Sequence, residues 1–479
     1  MKAEDTQAPT TSTQRWVLTL TSMASLMVML DMLVVTTALS TIRQDLGASI
    51  EQLEWTVNAY TLSFAVLLMT ASALGDRFGL RRLFILGLLV FTAASAACAL
   101  APSAAALIAG RAVQGAGSAM IMPHAMALLS VAFPPARRAK ALGIFSSITG
   151  LATLGGPMVG GAVVEGLDWQ WIFWLNVPIG LVLVPLVLRR MREIVGAGRG
   201  LDIVGVLLVT GGAFGLVWGL VRGNGVGWGG VEVVGTMVVG ALLLVAFVGW
   251  ELRTRAPMLP MKFFRIPAFS SGNATGFLLY GSVFGAAFFF AQFLQTTLGY
   301  SPLGAGLRLA PWTVTLFVVA PVAGAMVNRL GERPLIVVGL VLQAVGFGWI
   351  ALIASPGLSY PAMIPALMLA GCGVSLAMPA AQNAVVGAVP PPAIGAASGT
   401  FNTLRQLGGT LGIAILAAVF AGAGGFASPS AFNDGFVPAV FGASGLSLAA
   451  AIAGLWTPRR RTVAVPSTPR PALQTQGNP

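Results

Sequence analysis

The sequence predicts an all-α polytopic membrane protein, and three observations carry that fold class. The 479 residues are 56% hydrophobic and only 9% charged, where soluble domains carry about a quarter charged residues. Apolar runs of about 20 residues, the length a helix needs to cross hydrocarbon, follow one another along the chain. Alternation with a period of two is absent, and the runs are too long for barrel strands.

About 14 spans are expected, at 16–39, 55–75, 83–101, 104–128, 141–164, 172–189, 202–222, 231–250, 268–297, 306–327, 335–354, 361–388, 397–421 and 436–456. The first follows MKAEDTQAPTTSTQRW. Its Glu4 and Asp5 stand where a signal peptide is cationic, so the span is expected to be an uncleaved anchor. Inside that span lies Asp31, an ionisable acid in hydrocarbon. The second and third spans flank a basic turn, SALGDRFGLRR (72–82), in which Gly79 permits a tight reversal. The fourth, LIAGRAVQGAGSAMIMP (107–123), carries Arg111. A cation there costs about 2.5–3.5 kcal/mol on insertion scales and calls for a partner; snorkelling to the surface is the alternative. The fifth contains GLATLGGPMVGG (150–161). Pro157 removes a backbone donor, and Gly155, Gly156, Gly160 and Gly161 give a bare face for close packing or bending. The sixth begins in WQWIFWLNVPIG (169–180), whose tryptophans suit a membrane interface. The seventh and eighth have Asp202, Arg222 and Glu232 only near their ends, and read as a spacer or lateral seal.

The last six spans repeat the first six. Arg77, Gly79 and Arg81 recur as Arg329, Gly331 and Arg333 at an offset of 252. Gly115, Gly117, Met122 and Pro123 recur as Gly371, Gly373, Met378 and Pro379 at an offset of 256, which also carries Pro134, Gly143 and Phe145 onto Pro390, Gly399 and Phe401. Both halves start from one side, so they are parallel repeats, an arrangement of transporters that rock two bundles about a central site.

The net charge of +12 reports topology and not nucleic-acid binding. With the amino terminus in the cytoplasm, 22 of the 27 Lys and Arg residues fall on that side, which places both termini there. Cys98 and Cys372 lie inside spans and imply no disulfide. No GxxxxGK[ST] loop provides for ATP. No clustered acid, base or metal set supports an enzyme. No catalytic residue, metal or cofactor is expected.

These motifs resemble those of the major facilitator superfamily, in its 14-helix drug:proton antiporter branch (the EmrB/QacA type). The resemblance implies the major facilitator fold: two parallel six-helix bundles plus two extra central transmembrane helices. The expected organisation is a cytoplasmic segment 1–15, bundles 16–190 and 267–456, the extra pair with its loops over 191–266, and a disordered cytoplasmic tail 457–479. In the family the basic turn, here with Asp76, Arg77 and Gly79, holds the two halves together in one state. This chain has Ser72 and Leu80 where the family has Gly and Arg, and Asn328 replaces the acid in the second-half copy. The stretch around Pro157 resembles the antiporter signature and favours export. Gln170 replaces a usual Arg. Asp31 follows the Leu-Asp-x-Thr pattern loosely, with Leu33, Thr36 and Ser40 where Thr, Asn and Pro are usual.

Depth brings Asp31 and Arg111 together. At 1.5 Å per residue both lie about 10–12 Å below the outer edge, so they are level if the first and fourth spans are neighbours as in that fold. Burial disfavours a charged carboxylate and a nearby cation favours it. A carboxyl held in that balance can load a proton on one side and release it on the other. A static structural pair is the alternative. His124 reads as a polar anchor, and Glu165 as a solvated outer residue. Asn58, Asn273, Tyr280, Gln292, Gln295, Asn402 and Gln406 are the candidate substrate-cavity residues, although interhelical hydrogen bonds would occupy some of them. Lined by these, a cavity suits neutral, zwitterionic or singly charged lipophilic ligands.

The function expected is proton-coupled export of small lipophilic drugs or antibiotics across the cytoplasmic membrane. A dedicated exporter of one metabolite or self-made antibiotic is the second reading, and a non-transport membrane protein the third. The expected partners are a small-molecule substrate, protons and the lipid bilayer, with no nucleic acid, and the expected state is a monomer.

Overall fold

The structure, a computed structural model, describes residues 12–194, 202–254, 257, 259, 261–390 and 393–458. The side chain of Asp76, several between 135 and 154, and those of residues 325, 328 and 395 lie outside the described residues. Most of the expected amino-terminal segment and tail lies outside them too.

The described residues form α-helices and one short 3-10 turn. In order the helices are α1 (Ser12–Leu46), α2 (Ile50–Phe78), α3 (Leu80–Ala99), α4 (Ala104–Ala132), α5 (Pro135–Gly166), α6 (Trp171–Trp174), α7 (Asn176–Arg190), α8 (Ile203–Val226), α9 (Val231–Glu251), α10 (Pro267–Thr296), α11 (Pro302–Arg308), α12 (Ala310–Leu330), α13 (Glu332–Ile353), α14 (Tyr360–Val386), α15 (Ile394–Ala423) and α16 (Pro429–Gly454). Among the described residues, 13 stretches are long and apolar enough to cross a membrane, with α6–α7 as one and α11–α12 as another. The fifth expected span lies within α5, which is 32 residues long. The protein is therefore an all-α, multi-pass membrane protein. The sixth and tenth spans are broken rather than continuous. Pro178 and Pro311 lack the N–H that would bond the carbonyls of Trp174 and Leu307 four residues back, which loosens the ladder at each break.

The internal repeat reappears in the backbone. Gly47 and Gly299, 252 residues apart, both have positive φ (61° and 71°), as do Gly79 and Gly331 (110° and 82°). Such angles cost a side chain that Gly does not carry. Ser49 and Ser301 both cap their helices, accepting from the backbone N–H of Gln52 and Gly304. Pro123 and Pro379 both lie inside helices, α4 and α14.

Two faces of the bundle differ in how the halves join. On the face opposite the chain ends, the far face, one hydrophobic core runs through both halves: Val34, Val35 and Leu39 of α1 share it with Phe288, Phe290 and Phe293 of α10 and Phe436 of α16. On the terminal face the main cores are separate, around Phe64, Phe84 and Leu128 in the first half and around Phe269, Ile336 and Phe401 in the second, with a smaller cluster joining Leu62 and Val66 of α2 to Leu407 of α15. Phe284 packs against all three. The far-face seal is also polar. Gln295 takes a hydrogen bond from Ser40 and donates one to the Thr37 carbonyl, Glu165 accepts from the Leu303 N–H at 3.2 Å, and Arg43 stands 4.5 Å over the Phe426 ring.

The α8–α9 pair is central in sequence and peripheral in space. α8 packs on α2 and α15, the two helices that meet across the halves, through Trp55, Val217, Val221 and Ala414. At its far-face end Arg222 bridges Glu232 (3.2 Å) and Glu51 of α2 (3.5 Å). Only 17% of the α9 span is buried, which suits a helix that is apolar all round and turned to lipid.

Candidate functional site

Asp31 and Arg111 meet inside the first half. Arg111 Nη1 donates to Asp31 Oδ2 at 2.5 Å, and both side chains are 1% exposed. The apolar runs of α1 and α4 bring the two to one depth, so the guanidinium stays in the core instead of snorkelling. Two neutral amides complete the carboxylate's shell. Gln114 Nε2 donates to Asp31 Oδ1 at 2.7 Å and to Ser95 Oγ at 2.8 Å. Asn176 Nδ2 donates to the same Oδ1 at 2.8 Å. Arg111 also donates to Gln114 Oε1 (2.7 Å) and, through Nε, to the Thr56 carbonyl (3.2 Å). Its guanidinium carbon lies 4.2 Å from the Tyr60 ring centre, a cation–π contact that offsets lost hydration. Five helices of one half, α1, α2, α3, α4 and α7, thus contribute to one network around the ion pair.

The pair sits where the shared core gives way to the separate ones. Around it, Val28 and Met32 belong to the first half's own core, and Val34 and Val35 to the shared one. The pair therefore lies at the level where the halves part.

α5 connects that level to the second half. A Cβ on Gly156 would stand 2.6 Å from Leu33 Cβ, and one on Gly160 would meet Val34 and Thr37, so these glycines press α5 onto α1 beside Asp31. One on Gly161 would meet Pro302 and Leu303 of α11, and one on Gly306 of α11 would meet the Pro157 carbonyl. Gly155 lies 4.0 Å from Leu30 by the same measure. One bare face of α5 touches α1, and its end touches the second half.

The basic turn is engaged within its own half. Glu193, just after α7, accepts from the Arg81 backbone N–H at 3.0 Å and pairs with Arg81 (3.5 Å) and Arg82 (3.7 Å). Gly79 keeps a positive φ and leaves room for that carboxylate. Arg77 lies 5.3 Å over the ring of Phe78. The Asp76 side chain lies outside the described residues. In this conformation the described contacts of the turn do not latch one half to the other.

The candidate cavity residues divide. Gln295 stands in the far-face seal, where the long α10 carries it to Ser40 and Thr37 of α1. Asn273 is turned back onto its own helix, donating to the Phe269 carbonyl at 2.8 Å, beside an apolar groove formed with Phe277 and Leu404. Gln292 and Asn402 likewise donate one turn back, at 2.6 and 2.9 Å. Asn58 of α2 and Gln406 of α15 are buried with neither amide atom partnered among the described residues. The helices that carry them are joined by Thr61 and Thr410 at 2.9 Å. Tyr280 is buried, with its hydroxyl unpartnered among the described residues.

Several residues escape the sequence reading. Gln114 is three residues from Arg111, hence on its face of α4. Asn176 opens α7 within the Trp-rich stretch. Glu54 is buried, with Oε2 unpartnered among the described residues; it stands one residue before the expected second span. Arg405 lies well inside a span, where a cation is itself a signal. His124 is buried between α4 and Gly75 instead of lying at an interface. Among the described residues no group of three or more His, Cys, Asp or Glu could hold a metal ion.

Comparison with known proteins agrees with this architecture. A family model described as the Major Facilitator Superfamily matches residues 21–412 and 272–477. The chain is 35% identical over 418 residues to the tetracenomycin C resistance and export protein of Streptomyces glaucescens, covering 87% of this chain and 77% of that one. It is 37% identical over 442 residues to a cephamycin export protein of Amycolatopsis lactamdurans, covering 89% and 90%. It is 34% identical over 411 residues to a multidrug resistance protein of Mycobacterium tuberculosis, covering 85% and 76%. In fold it resembles a POT family transporter crystallised with 5-aminolevulinic acid, with a TM-score of 0.69 at 14% identity over 92% of this chain and 94% of that one.

Proposed function

The chain belongs to the major facilitator superfamily, and on that premise we propose that it is a proton-coupled exporter of small lipophilic molecules across the cytoplasmic membrane, of the 14-helix drug:proton antiporter branch. The observation that carries the proposal is the buried Asp31–Arg111 pair at the level where the two halves separate. With the termini in the cytoplasm, the far face is outside. The conformation described is then the one closed to the outside, in which the Asp31 carboxyl is held by Arg111, Gln114 and Asn176.

In the opposite conformation a proton arriving from outside binds an Asp31 oxygen and removes the attraction to Arg111. The α1–α4 contact then loosens, and α5, packed on α1 through Gly156 and Gly160, carries the change to α11. When the far face closes again, the proton leaves toward the cytoplasm and the ion pair re-forms. At a total driving force of about 150 mV one proton supplies about 3.5 kcal/mol, enough for a gradient of a few hundred fold. The bundles 16–190 and 267–456 are the rocking bodies, and the α8–α9 pair covers the α2–α15 seam.

The second reading is a dedicated exporter of a single compound, favoured by relatives whose names specify one antibiotic each. A panel of structurally unrelated drugs, tested in cells that express the chain with and without an uncoupler, separates the two. Resistance to many drugs that the uncoupler abolishes supports multidrug export, and resistance to one supports the dedicated exporter. Efflux that ignores the uncoupler removes the proton coupling.

A further inference from the structure

Arg405 is a cation that no acid among the described residues neutralises. It lies about a third of the way along α15, a helix of 30 residues, about 17 Å from the helix start at 1.5 Å per residue. Among the described residues it has no carboxylate partner, and its Nε has no hydrogen-bond partner. The second half supplies only Glu332, in the first turn of α13, and Asp434, near the start of α16. Arg111, which is fully buried, has an acid and two amides around it. Arg405 has the ring of Tyr280, 5.0 Å from its guanidinium carbon.

The surroundings of Arg405 face the seam between the halves. One turn along α15, a Cβ on Gly409 would meet Phe284, the residue that packs against all three cores. Tyr280 precedes Phe284 by one turn of α10, and their rings meet edge to face at 5.6 Å. Beside Arg405, Gln406 is fully buried with both amide atoms unpartnered among the described residues. Arg405 itself is only half-buried. A guanidinium with free donors and an aromatic edge therefore share one strip beside α10, while the unused amide of Gln406 stands on the adjoining face of α15.

We propose that Arg405 is a specificity-determining residue that binds the acidic group of a planar aromatic substrate, a carboxylate or phenolate bearing a single negative charge. The guanidinium fork matches two oxygens of a carboxylate. Phe284 offers an apolar face to the attached ring. The inference rests on the transport reading and narrows it: residues that look neutral in the sequence are joined in the fold by an unpaired cation, so a single acidic group is favoured over a neutral or cationic one.

The test uses the purified full-length protein in detergent, titrated with 2-naphthoate and with its methyl ester. The wild-type protein is expected to bind the acid at least tenfold more tightly than the ester. Arg405→Gln removes that preference while ester affinity stays within twofold, and Arg405→Lys keeps part of it. Equal affinities in the wild type, no binding of 2-naphthoate, or an intact preference in Arg405→Gln overturns the proposal. So does loss of both ligands together with a lowered melting temperature, which marks a structural role. Uptake of 2-naphthoate into everted vesicles keeps the two readings apart. A binding preference without uncoupler-sensitive uptake leaves the Arg405 site standing and removes proton-driven export.

Discussion

Arg111 grips Asp31 at 2.5 Å in a place where neither side chain is more than 1% exposed. Each charge is tolerable only because of the other, since leaving one partner of a buried pair uncompensated costs about 3–5 kcal/mol. We predict that Arg111→Ala lowers the melting temperature in detergent more than Asp31→Asn does. The double variant Asp31→Asn with Arg111→Gln should recover much of the loss. Asp31→Asn should still reach the membrane but lose uphill, uncoupler-sensitive export. Normal uphill export by Asp31→Asn would remove this carboxyl from the proton path.

Gln114 and Asn176 share one acceptor, Asp31 Oδ1, at 2.7 and 2.8 Å. A hydrogen bond to a charged group contributes about 1.5–3 kcal/mol, and groups on one network do not add. Gln114→Ala and Asn176→Ala are each expected to destabilise the protein by about that amount. The pair together should fall short of the sum, because losing either donor already weakens the shell. Strict additivity in thermal or chemical unfolding would show that the two amides act independently of Asp31.

The α5 glycines separate two kinds of wedge. Overpacking costs about 1–3 kcal/mol, and where it falls decides its effect. Gly161→Val and Gly306→Val push the halves apart at the far face, so a cysteine introduced as Ser40→Cys should react faster with a membrane-impermeant maleimide. Gly156→Leu and Pro157→Ala act at the α1 contact and in the α5 backbone, and should slow transport more than they weaken equilibrium binding. Unchanged labelling in Gly161→Val would mean that the α5–α11 contact is no part of the seal. Equal losses of binding and rate in Gly156→Leu would place α5 in the binding surface.

Fold class was legible because apolar length and charge placement are one-dimensional signals, and hydrocarbon admits few alternatives to the helix. The meeting of Asp31 and Arg111 followed from counting residues below a common edge. Direction around each helix is not legible. The contact of Gln295 with Ser40 and Thr37 has no signal in the sequence, because neutral polar residues in spans carry no mark of which neighbour they face. Glu54 carries no mark of burial in the sequence, because hydropathy ends the span beside it. Arg405 was hidden among the neutral residues that flank it, Asn402 and Gln406. The state of the basic turn was not legible either, since its partner Glu193 lies 112 residues from Arg81 in a segment without a recognisable motif.

The last prediction concerns cationic compounds. A dication entering a low-dielectric seam needs two acids, or it enters partly uncompensated at high cost. Asp31 is already paired with Arg111. Glu54, at the first turns of α2, is buried on the sealed far-face side. Arg405 adds repulsion, which at 4 Å reaches about 4 kcal/mol in the effective dielectric typical near a protein surface. Transport should therefore fall steadily across a matched series of neutral, singly and doubly positive dyes, with the divalent member at least tenfold below the neutral one. Uptake of the series into everted vesicles measures this order directly. Efficient divalent transport that disappears in Glu54→Gln would make Glu54 a second acid of the binding site and reverse the expected charge preference.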